Sequence, residues 1–152
     1  MNWPYLLFGA RGRIGRAEWW IASCALIIIG FVLLSAIGRF NVVLTVVLAL
    51  VCLLIAYCFL AVAVKRLHDR NKRGWWIFFF ALTPIMLGSI VSTFGAEIGP
   101  ALDYAAWAVV LVIAIWALLE LGLMPGTAGL NRYGPDPLAK VKGDPRQGGS
   151  GA

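Results

Sequence analysis

The residues able to do chemistry gather in three polar stretches of an otherwise apolar chain. The central one, Lys65-Arg-Leu-His-Asp-Arg-Asn-Lys-Arg-Gly-Trp-Trp76, sets His68 beside Asp69 among five cations, Lys65, Arg66, Arg70, Lys72 and Arg73. A histidine with a carboxylate at hand can act as general acid or base on a lipid phosphate. Sequence neighbours on a helix point in different directions, so an interfacial hydrogen-bonding role is the plainer reading of His68. The N-terminal stretch, Gly9-Ala-Arg-Gly-Arg-Ile-Gly-Arg16, places a glycine at every third position and offers Arg11, Arg13 and Arg16. Backbone amides and guanidinium groups so arranged can hold a phosphate, although the glycine spacing is not the dinucleotide fingerprint. A flexible basic flank that fixes orientation explains the same residues more simply. The third stretch, turn-rich Pro125 to Pro137, carries Asn131, Arg132 and Asp136. Cys24, Cys52 and Cys58 all fall inside apolar runs with no metal-ligand or redox spacing, so no metal or other cofactor is expected.

The elements that position these stretches must live in lipid. At 152 residues the chain is one domain, and its 61% hydrophobic content lies well above that of soluble proteins. Its mean hydropathy of +0.86 agrees. An all-α integral membrane protein is the implied class. The net charge of +6 sits beside apolar spans, where lipid headgroups are nearer than nucleic acid. The first apolar run, from Trp19 to about Ile37, is too long for a signal-peptide core and is read as a permanent span.

Four spans are expected over about 19–37, 42–64, 75–94 and 105–124, arranged as two antiparallel hairpins. The short Gly38-Arg-Phe-Asn41 link forces the first pair to return on itself. Residues 3–8 are expected to lie along the interface. The second helix is expected to run on past Val64, pairing Arg66 with Asp69 and Asp69 with Arg73, and to stop at Gly74. Pro84 predicts a kink in the third span, and Glu97 and Asp103 occupy a loop over 95–103. Residues 1–137 thus form the transmembrane domain with its surface segments, and the glycine-rich tail over 138–152 is expected to be disordered. Both hairpins open on a basic cluster running into Trp-Trp, which an internal duplication or ordinary span-start composition explains.

Twelve of the thirteen Lys and Arg residues fall on one side of this threading, with Arg39 alone opposite, so both termini are expected in the cytoplasm. Arg13, Arg16, Glu18, Arg66, His68, Asp69, Asn131, Arg132 and Asp136 then converge on a polar cap for an anionic lipid or a partner protein. Glu120, inside the fourth span, either pairs with a cation of the N-terminal flank or central segment or snorkels to water. The expected function is a non-catalytic binding or scaffold protein of unknown activity. Its expected partners are membrane lipids, anionic ones included, and a second copy or another membrane protein. The first alternative, a small transporter or channel-like subunit acting as an oligomer, draws on Pro84, Gly88, Ser89, Ser92 and Glu120, but lacks polar groups at mid-membrane. The second is a lipid-phosphate enzyme using His68.

Three motifs in order carry a family resemblance: Gly12-Arg-Ile-Gly-Arg-Ala-Glu-Trp-Trp20, Arg66-Leu-His-Asp69 with Arg73-Gly-Trp-Trp76, and Gly126-Thr-Ala-Gly-Leu-Asn-Arg-Tyr-Gly-Pro-Asp-Pro137. Together they resemble the small bacterial inner-membrane proteins of the YhaH type, a domain family of unknown function. The departure is Lys72-Arg73, where a small residue before Gly-Trp is expected. The resemblance implies a multi-pass protein of the bacterial inner membrane and no established activity.

Overall fold

A computed structural model describes residues 3–138, and its regular elements there are all helical. They are α1 (Trp3–Phe8), α2 (Arg16–Ala36), α3 (Val42–Asp69), α4 (Trp76–Ile98) and α5 (Pro100–Leu118), the last continued by a π turn over Leu119–Leu123. Four helices are long and apolar enough to cross a membrane: Arg16–Ala36, Val42–Asp69, Trp76–Phe94 and Pro100–Leu123. In hydrocarbon a helix satisfies its own backbone, which overrides the strand preference of the valine-rich α3. The tail expected to be unfolded lies, after Leu138, outside the described residues.

Local chemistry sets the ends. Asn41 opens α3 by accepting the Leu44 amide at 3.0 Å. The expected stop at Gly74 is corrected, because α3 ends at Asp69 and Asn71 takes the left-handed conformation at φ 56°. The Asn71 amide donates to the His68 carbonyl at 3.0 Å and the Lys72 amide to the Leu67 carbonyl at 2.9 Å, the paired bonds of a Schellman end. Gly74 instead lets the returning chain pass close to α3, where a Cβ would come within 2.9 Å of Val64. The loop expected over 95–103 contracts to a turn at Gly99, φ 83°, followed by Pro100 in the first turn of α5. α4 continues through Pro84.

α2 packs on α3 and α4 on α5, while α3 touches α4 less and the π turn reaches back to α2 and α3. The core is concentrated at one end. Trp19, Ala22 and Leu26 of α2 meet Val62 and Leu67 of α3, Ile77 and Phe80 of α4, and Ile113 of α5. Trp76, Phe79, Phe80 and Trp116 interlock edge to face or tilted, at 5.5 to 6.1 Å between ring centroids. Away from that end most large apolar side chains face outward, Ile28, Phe31, Val43 and Leu53 among them. There α2, α3 and α4 leave an apolar groove of 590 Å³.

Candidate functional site

Around this core end the three polar stretches meet. The π turn and the residues after it present a run of backbone carbonyls, the orphan acceptors of a helix C-terminus, where cations are also favoured. Side chains answer almost every one. Arg66 Nε donates to the Leu121 carbonyl at 2.7 Å and Arg66 Nη2 to Met124 at 2.5 Å. Trp20 Nε1 reaches Gly122 at 3.2 Å, Arg16 Nη1 reaches Leu123 at 3.1 Å, and Arg70 Nη1 reaches Pro125 at 2.8 Å. Gly122 is required here, because a Cβ would stand 2.9 Å from Trp20 and 3.2 Å from Trp19.

Asp69 is the hub. Its Oδ1 accepts from Arg13 Nε at 3.0 Å, and its Oδ2 pairs with Arg66 Nη1 one helical turn back. The expected partner Arg73 is replaced by Arg13, and Arg73 is exposed. Arg13 also donates to the carbonyls of Gly129 at 2.7 Å, Gly134 at 3.1 Å and Thr127. The Thr127 amide and hydroxyl both donate to the Asp69 carbonyl at 2.9 Å. A Cβ on Gly126 would run into the Asp69 carboxylate, so the loop lies flat against it. Asn131 donates to the His68 carbonyl at 3.0 Å, and Tyr133 stacks on the His68 ring at 3.8 Å. The result is a clasp that ties the N-terminal flank and the loop of residues 125–137 to the end of α3.

All of the residues expected in the polar cap come to this end. Arg13, Arg66, Asp69 and Asn131 share the bonded network, and His68 joins through its carbonyl and ring. Arg132 donates to the Asn71 carbonyl at 2.5 Å. Glu18 accepts the Gly15 amide at 3.1 Å, capping α2, and Asp136 accepts the Gly129 and Leu138 amides at 3.3 and 2.9 Å. Glu120 is 2% exposed and holds Arg70 and Lys72 at 2.9 and 2.8 Å, so it does not snorkel. Lys65 and Arg66, expected at the membrane surface, are both 0% exposed. Lys65 Nζ donates to the Tyr5 carbonyl at 2.6 Å and to that of Leu6, satisfying the end of α1, while the Tyr57 hydroxyl bonds Phe8. Thr127, Tyr133, Arg70 and Lys72 also take part. Thr127 and Tyr133 lie in the third motif, where no role was assigned to them, and Arg70 and Lys72 are among the cations of the N-terminal flank and central segment open to Glu120.

Chemically the arrangement is one of mutual saturation. No hydrogen bond joins His68 to Asp69 among the described residues, and Asp69 is committed to two arginines. Nor, among the described residues, do three His, Cys, Asp or Glu side chains gather to hold a metal ion. Buried Trp19 Nε1, Ser23 Oγ and His68 Nδ1 have no hydrogen-bond partner among the described residues, and exposed cations are left open as well. Arg11 and Arg73 have no side-chain partner among the described residues.

Residues 7–135, which include the whole clasp from Arg13 to Gly134, match the family described as "Protein of unknown function (DUF805)". The chain belongs to this family. It is 35% identical over 136 residues to "Uncharacterized protein YiiR" of Escherichia coli (strain K12), covering 86% of each chain. It is 28% identical over 137 residues to "Inner membrane protein YhaH" of the same organism, covering 85% of this chain and 87% of that one. The resemblance carried by the three motifs therefore holds. No solved structure matches the chain.

Proposed function

We propose that this chain is a non-catalytic, multi-pass protein of the bacterial inner membrane, threaded as two antiparallel hairpins with its polar end in the cytoplasm, and that this end binds the phosphates of lipid headgroups. The carrying observation is the division of its cations: Arg13, Arg66 and Arg70 are consumed by internal carboxylates and carbonyls, whereas Arg11 and Arg73 are exposed with no side-chain partner among the described residues. The first set holds the end rigid. The second projects guanidinium groups, whose planar donors match phosphate oxygens. The positive-inside bias, with Arg39 alone on the opposite side, supports the orientation. The similarity to inner membrane protein YhaH supports the inner membrane.

Native mass spectrometry in mild detergent tests this reading by comparing the wild type with Arg11→Gln/Arg73→Gln. Loss of co-purifying phospholipid at an unchanged unfolding midpoint is expected. Equal lipid retention in both proteins refutes headgroup binding and directs attention to a partner protein.

A further inference from the structure

Between the N-terminal flank and the C-terminal loop lies a cleft of 270 Å³, walled in part by Tyr5, Gly12, Arg13, Glu18, Tyr133 and Asp136. This is room for several waters, and hence for a small polar headgroup. Its charges are unequally committed. Arg13 is spent on Asp69 and three loop carbonyls. Glu18 and Asp136 form no ion pair among the described residues, and their only bonds are from backbone amides. The Gly15 amide donates to Glu18 Oε2, and Oε1 accepts no hydrogen bond among the described residues. With Arg13 held by Asp69, the two carboxylates leave the cleft wall with an excess of negative charge, and Lys65 is a further cation within electrostatic reach of Glu18.

Resting on the headgroup reading above, we infer that this cleft takes a primary ammonium, carried by a zwitterionic lipid whose phosphate meets the exposed arginines. Arg11 adjoins Gly12 of the cleft wall in sequence. The ring faces decide which ammonium fits. Lys65 Nζ already stands 4.9 Å from the Tyr5 ring centroid, and Tyr133 carries His68 at 3.8 Å with Arg132 at 4.9 Å. An aromatic cage for a quaternary ammonium needs several open ring faces, and here Tyr133 already carries His68 and Arg132 while Tyr5 carries Lys65. Recognition falls to N–H donation into Glu18 and Asp136, which a trimethylated ammonium cannot supply.

The test is competitive lipid retention, read by native mass spectrometry after exchange into micelles containing equal amounts of phosphatidylethanolamine, phosphatidylcholine and phosphatidylglycerol. Charge-assisted hydrogen bonds of the usual strength predict at least about a tenfold preference for the primary ammonium over the trimethylated one. Glu18→Gln/Asp136→Asn, which keeps an acceptor for each backbone amide, brings that ratio to near one. A wild-type ratio near one, or a preference that survives in the double variant, overturns the inference. If the variant does not fold, the wild type is challenged with soluble ethanolamine and choline. Displacement by ethanolamine alone upholds the site, and equal effects overturn it. Ethanolamine binding without retained lipid upholds the ammonium site with a soluble amine as its source. The arginine variant tests the phosphate reading separately, because it changes the total lipid retained and this one changes the headgroup ratio.

Discussion

Replacing Asp69 with Asn removes one negative charge from a place where two guanidinium groups have almost no contact with water. The side chains of Arg13 and Arg66 are 1% and 0% exposed, and that of Asp69 is 5% exposed. Surface pairs contribute about 0 to 1 kcal/mol, but breaking a buried pair from one side costs about 3 to 5 kcal/mol because the remaining charge is left uncompensated. The asparagine oxygen still accepts one bond and the arginines keep their carbonyls, so a loss of about 3 kcal/mol is expected. Against a total stability of about 5 to 15 kcal/mol this is a large fraction. Reversible unfolding in mixed micelles of rising denaturing-detergent content, followed by tryptophan fluorescence, measures it. Burial also makes the loss insensitive to salt between about 0.1 and 1 M, where an exposed pair would be screened. In an Arg13→Gln/Asp69→Asn cycle, a coupling of about 0.5 to 3 kcal/mol is expected for groups in direct contact. A loss under about 1 kcal/mol, or one that disappears in salt, refutes the buried-hub account.

Other substitutions probe the remaining joints. Gly126→Ala places a methyl on the Asp69 carboxylate and should cost about 1 to 3 kcal/mol, as overpacking does, with faster proteolysis of the 125–137 loop as a second readout. Asn71→Ala puts an ordinary side chain at φ 56° and should cost about 1 to 2 kcal/mol, while Asn71→Gly should be tolerated; thermal unfolding of the two side by side checks this. Lys65→Met removes the donor to the Tyr5 and Leu6 carbonyls while keeping most of the apolar stem. It should release α1, seen as faster amide exchange over residues 3–8 with little change in α4 and α5.

The spans were legible because an uninterrupted apolar run leaves the backbone no choice but a helix. Arg66 with Asp69 was legible too, since a spacing of three places both on one helical face. The bond of Arg13 to Asp69 was not, although both residues were expected in the polar cap, because 56 residues separate them and no local spacing encodes that contact. Lys65 was misplaced for a related reason. Composition cannot distinguish a cation facing headgroups from one covered by the carbonyls of a short helix lying over it. The end of α3 was assigned to Gly74 on the general preference for glycine, whereas Asn71 supplies the same left-handed turn five residues nearer the start of the segment than the Trp76 that opens α4. Glu120 was readable as a residue that either pairs or snorkels, and of the two basic stretches open to it the central segment supplies both cations.

The clasp also has a meaning in time. Ribosomes deliver Arg13 early, yet its bond to Thr127 spans 114 residues of chain, and Arg16, Arg66 and Arg70 likewise wait for carbonyls between Leu121 and Pro125. A nascent chain that has inserted three spans carries these cations without their acceptors. Arrival of the last helix end closes the fold, so a polypeptide halted before residue 121 differs from the finished protein by a set of unanswered charges at the membrane. Surveillance proteases that sample loosely held segments would meet that difference directly.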